Sequence, residues 1–165
     1  MMTDREQLMI QGFEGFKTVR ELMNSCKDIP NMMGVYVVLR EKNERPVILE
    51  KRPFDCHEEK YPSYSKAELE KEWVKDTQIV YIGKAGGSSQ KTELHKRLST
   101  YIRFGKGMKA THGGGRSIWQ LADAQELIVC WRVLTDEEPC CVESKMIADF
   151  CKKHDGKRPF ANRRD

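Results

Sequence analysis

Two tyrosines and two charges carry the chemistry of this chain. Gly34-Val35-Tyr36 opens an apolar run that continues as Val37, Val38 and Leu39, and Tyr81-Ile82-Gly83 closes another that begins Ile79, Val80. Downstream, Arg97 stands between Leu94, Leu98 and Tyr101, and Glu143 stands with Met146, Ile147 and Phe150. Both sets follow i, i+3, i+4, i+7 spacing, which puts helical residues on one face. A charge on an apolar face is expensive unless it is paired, hydrogen-bonded or bound to a metal. Arginine's planar fork matches phosphate oxygens and stays charged throughout. A lone glutamate is enough for Mg²⁺, which takes one or two carboxylates and keeps several waters. A phenol titrates at about 10 when unperturbed, so it accepts a proton near neutral pH only with cations beside it. Lys84, directly after the second tyrosine motif, is such a cation.

These groups need strands for the tyrosines and helices for the charges. Residues 5–24 read as a helix or helix pair with Phe13, Phe16, Val19, Leu22 and Met23 as the apolar face, weakened by Gly12 and Gly15. Ile29-Pro30-Asn31 turns the chain into a first strand at 34–40. A second strand is expected at 78–83 and a third, the most apolar, at 126–134. Between the first two lies a charged stretch, 41–77, with a possible short strand at 47–50 and a helix at 66–75. Ser65 and Glu68 have the spacing of a capping box for that helix. A helix at 92–104 carries Arg97 and ends at Gly105-Lys106-Gly107. His112 to Arg116 forms a glycine-rich basic loop leading to a short helix or turn at 118–123. Pro139 precedes a last helix at 140–153 that carries Glu143 near its start, where the helix dipole by itself favours an acid. Strands interleaved with helices indicate an α/β fold.

At 165 residues the chain is expected to be a single domain, 1–165, with a helical segment at 1–30 and a basic, irregular tail at 154–165. The net charge of +4 decides little, but its distribution is informative. Between Lys91 and Arg116 seven Lys or Arg face one acid, Glu93. The tail adds Lys157, Arg158, Arg163 and Arg164. Basic clusters suit a polyanion, because neutralising phosphates releases counterions; the competing reading is an ordinary solvated surface. No stretch of about eighteen apolar residues suggests a membrane span, and the N-terminus lacks a secretory pattern. A cytoplasmic protein with six reduced cysteines is the expectation.

The order of Gly34-x-Tyr36, Tyr81-Ile82-Gly83-Lys84, Arg97, Glu143 and a late Asn162 resembles the GIY-YIG nucleases, a superfamily of metal-dependent DNA-cleaving enzymes. The most specific part is Tyr-Ile-Gly-Lys followed by the Leu-x-Lys-Arg-Leu helix with Arg97 and Tyr101, then a helical glutamate. The resemblance implies a small central antiparallel sheet, a three-stranded core flanked by helices, with the tyrosine strands as neighbours. It also implies that a tyrosine of the paired motifs deprotonates the attacking water. Tyr36 is the preferred base and Tyr81 orients water or phosphate, although the two roles can be exchanged. Tyr101 resembles the tyrosine-bearing branch, in which other members carry histidine. In the family the two tyrosine motifs stand much closer, so 41–77 is a long insertion.

The resulting expectation is a Mg²⁺- or Mn²⁺-dependent endonuclease that hydrolyses DNA phosphodiester bonds, with RNA left open as a substrate. Its catalytic residues are Tyr36, Tyr81, Lys84, Arg97, Tyr101 and Glu143, with Glu143 as metal ligand. Lys96, Arg103, Lys106, His112, Arg116 and Asn162 are expected at the substrate, Asn162 either orienting a ligand or pinning the tail. The alternative is a nucleic-acid-binding module that keeps the fold without cutting. Cys140, Cys141, Cys151 and His154 match no standard zinc spacing. The loop after Tyr81 lacks the Gly-Lys-Ser/Thr ending of a nucleotide-binding P-loop. His112-Gly-Gly-Gly has no Gly-x-Ser-x-Gly nucleophile to accompany it as an esterase oxyanion loop.

Overall fold

The strand carrying the first tyrosine, β2 (Gly34–Leu39), is buried at every position. Such a run of Val and Leu suits a strand covered on both faces. A computed structural model describes residues 1–54, 60–88, 91–108 and 114–163, and shows β2 as an inner strand of a four-stranded antiparallel sheet. The other strands are β1 (Glu14–Thr18), β3 (Ile79–Ala85) and β4 (Ile128–Val133), in the order β1-β4-β2-β3. The two tyrosine strands are neighbours, with Tyr36 opposite Gly83 and Val38 opposite Tyr81.

The sheet has four strands where three were expected, and the extra one replaces part of an expected helix. Residues 4–24 form α1 (Asp4–Ile10), β1, and α2 (Val19–Asn24). Gly12 and Gly15 adopt φ of +93° and +95°, and Phe16 follows at +49°. That left-handed backbone ends a helix and makes a bulge in the pairing of β1 with β4. Two capping boxes mark the real helix starts, Thr3 with Glu6 and Thr18 with Glu21.

Between β2 and β3 lies α3 (Lys66–Glu72), three residues shorter than expected. It is capped by Ser65, which accepts from Glu68 N at 3.4 Å. The expected short strand at 47–50 is one bridge, Ile48 to Leu121. Helix α4 (Leu94–Gly105) and helix α5 (Pro139–Lys153) start within two residues of expectation. Short 3-10 turns occupy Arg116–Gln120 and Ala124–Glu126.

Alternation along the strands separates two cores. Tyr36, Val38, Val80, Val129 and Trp131 pack with α2, α4 and the 3-10 turns. Val35, Val37, Leu39, Ile82 and Cys130 pack with Leu8 of α1 and Ile147 of α5. Residues 154–163 of the tail form no helix or strand, but they fold back on the sheet, because Phe160 and Ala161 are buried. Ala161 N donates to Val80 O at 2.8 Å, and Asn162 clasps Ile82. Among the described residues no helix is long and apolar enough to cross a membrane.

Candidate active site

Three tyrosines from three elements meet under one loop. Tyr36 (β2), Tyr81 (β3) and Tyr101 (α4) have ring centroids 5.8–6.4 Å apart. Tyr101 also packs on Trp119 at 5.4 Å, and its hydroxyl donates to Gly115 O at 2.8 Å. Two glycines make room for the rings. A Cβ on Gly83 would lie 2.3 Å from Tyr36 Cζ and 2.5 Å from its hydroxyl, so the ring of Tyr36 lies across the glycine of Tyr-Ile-Gly. A Cβ on Gly115 would lie 2.8 Å from Tyr81 Cζ, and its φ of +72° favours glycine in any case.

The charges act on this cluster from both sides of the sheet. Burial pushes the Glu143 carboxyl above its ordinary value, while Lys84, Arg97 and Arg158 pull it back down. Tyr81 is raised by burial and then by the charge of Glu143, and lowered by hydrogen bonding with Tyr36 and by Arg97. Tyr36, with no exposed surface, is raised well above the usual phenol range by burial and then by Tyr81; Arg97 opposes, while the hydrogen bond to Tyr81 and Glu143 add to the rise. Tyr101 is raised well above its ordinary value by burial and then by the other two phenols. Tyr36, Tyr81, Lys84, Arg97 and Glu143 therefore share one electrostatic neighbourhood, although α4 and α5 cover opposite faces of the sheet.

Arg97 and Glu143 are unpartnered there. Neither side chain makes a hydrogen bond or ion pair among the described residues, and Arg97 Nε is buried without an acceptor. The expected helix-start explanation for Glu143 does not hold. Helix α5 begins at Pro139 and has no acid in its first turn, so Glu143, the fifth residue, lies beyond the range of the dipole effect.

The residues expected at the substrate divide into several groups. Lys96 and Arg103 are exposed on α4, seven residues apart and so on one side of the helix. Lys106 turns to Met23 O at 2.7 Å and ties α4 to the end of α2. Arg116 stacks on Tyr64 and Tyr61. Asn162 pins the tail: its amide donates to Ile82 O at 2.8 Å and accepts from Ile82 N at 2.9 Å. His112 lies outside the described residues. Arg158, which the sequence offered only as one more basic tail residue, reaches the site because its Nε donates to Asn162 O at 2.8 Å. The buried Phe160-Ala161 pair was the available signal that this tail folds back.

A divalent ion of the Mg²⁺ type fits Glu143, a half-buried carboxylate with no protein partner, better than zinc fits any cysteine here. Among the described residues no three His, Cys, Asp or Glu group together as a metal cage. Cys140 and Cys141 are exposed, and His154 stacks on Phe150 at 4.1 Å. The surplus of cations around one carboxylate also favours an ion that arrives with an anion such as phosphate. No family model matches this chain, and neither does any curated protein or solved structure.

Proposed function

We propose that this protein is a metal-dependent endonuclease that hydrolyses DNA phosphodiester bonds at a site of the GIY-YIG type. One observation carries the reading: Arg97 and the half-buried Glu143, each without a hydrogen-bond or ion-pair partner among the described residues, both act on a packed tyrosine pair. Arg97 binds the phosphate through its fork, and the phosphate supplies the acceptor its buried Nε lacks. Lys84 and Arg158 add positive charge where the phosphoryl group gains negative charge. Glu143 would hold Mg²⁺ or Mn²⁺, which when bound supplies Lewis acidity and a template for water and phosphate.

Tyr81 is the better placed of the two phenols to take a proton. It keeps 8% exposure, whereas Tyr36 is sealed. This exchanges the roles first assigned to the pair. Tyr36 then packs against the Tyr81 ring, and Tyr101 holds Gly115 over it.

A second reading, a binding module that does not cut, draws on the same pKa directions. All three phenols are held protonated by burial, and the cations around Glu143 suffice to bind an anion. Cleavage of a mixed panel (supercoiled plasmid, duplex, flap, single strand) with Mg²⁺ or Mn²⁺ separates the two. Metal-dependent cutting that is lost in Glu143→Ala supports the nuclease. Salt-sensitive binding without cutting supports the module, and cutting that survives Glu143→Ala rejects the assigned site.

A further inference from the structure

Helix α4 ends in a glycine cap that leaves apolar surface beside its cations. Gly107, with φ of +77°, donates its N–H to Phe104 O at 3.0 Å, and Met108 N donates to Arg103 O at 3.0 Å. In such a cap the residue after the glycine frequently packs on an apolar residue one turn back. Here that position is Arg103, and Met108 stays 45% exposed. The stretch between β2 and β3 brings Phe54 to the same cap. A Cβ on Gly107 would lie 2.8 Å from Phe54 Cβ and 3.1 Å from its carbonyl carbon. Two residues earlier the buried Arg52 stacks on Phe104 of α4, with Cζ 5.0 Å from the ring centroid. The backbone at Phe54 is thus held against α4, while the residue stays 53% exposed. Lys96 and Arg103 are exposed on the same helix, and neither side chain has a hydrogen bond or ion pair among the described residues. Arg97 lies about 100° round the helix from Lys96, between that exposed stripe and the buried Tyr101.

We propose that Phe54 is a stacking platform for an unpaired base of the strand that crosses the candidate site, with Arg103 on a neighbouring phosphate, an inference that rests on the nucleic-acid reading above. It narrows the substrate to DNA that carries a single-stranded segment. Exposed aromatic rings beside solvated cations are the composition of a single-strand groove, in which the rings hold bases by their faces and the cations track the backbone. In a duplex each base is already stacked on its neighbours, so the ring gains a partner only where the strand is unpaired. Arg97 and Gly105 are about 12 Å apart along the helix axis, the span of three or four nucleotides at about 3.4 Å each. The base on Phe54 is therefore a few nucleotides from the phosphate on Arg97. Every base has a π-face, so the platform selects strand structure and not sequence. It also gives the 41–77 stretch a role, because that stretch delivers the ring.

The test is metal-free binding, across a salt series, of a labelled single strand, a fully abasic strand of the same length and a blunt duplex. Wild type is compared with Phe54→Ala, Phe54→Trp and Arg103→Gln, each checked for folding by thermal melting. Losing one stacked base lowers affinity about 5- to 150-fold. Phe54→Ala is expected to show a loss in that range on the intact strand and none on the abasic strand or the duplex. Phe54→Trp keeps a ring face and is expected to keep the wild-type affinity. Arg103→Gln should lower the slope of log K against log salt by about 0.7 on the single strand, the share of one phosphate. The platform is overturned, and the nuclease reading left standing, by salt-sensitive binding that folded Phe54→Ala leaves unchanged or weakens equally on all three ligands. An Arg103→Gln slope equal to wild type overturns it too. A wild type with no salt-sensitive binding to any of the three overturns both.

Discussion

Replacing Gly83 by alanine adds one methyl group at the point where Tyr36 crosses β3. The added Cβ would lie 2.3 Å from Tyr36 Cζ, 2.5 Å from its hydroxyl and 2.8 Å from Cε1. All three are far inside van der Waals contact, and the ring, with no exposed surface, has no free space to enter. Overpacking of this kind costs about 1–3 kcal/mol. For a chain of this length each kcal/mol lowers Tm by about 2–4 °C. Thermal denaturation of Gly83→Ala should show a fall of about 2–12 °C. The same substitution in a Tyr36→Ala background should cost far less, because the clashing ring is gone; this coupling is what a double-mutant cycle measures. Equal losses in both backgrounds, or a single variant that melts with wild type, would refute the placement of Tyr36 over Gly83.

Glu143→Gln should raise Tm at neutral pH. Burial lifts the folded-state pKa of Glu143 above 4.5, so its contribution to stability is present below the unfolded value and is lost as pH rises through the folded one. The gap between variant and wild type should close in acid below the ordinary carboxylate range, and a gap that is constant with pH would contradict the argument. Asn162→Ala removes both bonds to Ile82 and should cost about 2–3 kcal/mol, with faster amide exchange at Ile82 as the direct readout. Tyr101→Phe loses the bond to Gly115 O, worth about 1 kcal/mol. If Gly115 is held for catalysis, cleavage should fall more than stability does.

Strands β2, β3 and β4 and helices α4 and α5 were legible because their apolar periods are long and uninterrupted. Gly107 follows α4 with φ of +77°, the backbone signal expected past a helix end. β1 was not legible: it has five residues, one bulge and two left-handed positions, and its strand character comes from pairing with β4 rather than from its own pattern. The spacing Thr-x-x-Glu at Thr3 and Thr18, a signal missed in the expected helix at 5–24, caps the two helices that flank it. Within the candidate site, Arg97 and Glu143 stood out because a charge on an apolar helix face must be compensated. Arg158 did not, because its position depends on the tail folding back by way of Asn162, a long-range contact with no local period. The stacking of Arg116 and Arg163 on Tyr64 was hidden for the same reason.

The clasp of Asn162 on Ile82 also governs how this sheet can assemble. β3 is an outer strand, and an outer strand presents unpaired N–H and C=O groups that invite another chain to add on. Here the tail takes up Val80 O and both backbone groups of Ile82. At the opposite rim, the bulge between Glu14 and Lys17 interrupts the pairing of β1. Sheet extension between copies of this chain is blocked on the rim that carries Tyr81 and discouraged on the other, so oligomers would have to form through side chains. Shortening the chain before Ala161 would free that rim, and aggregation through exposed strand edges should follow.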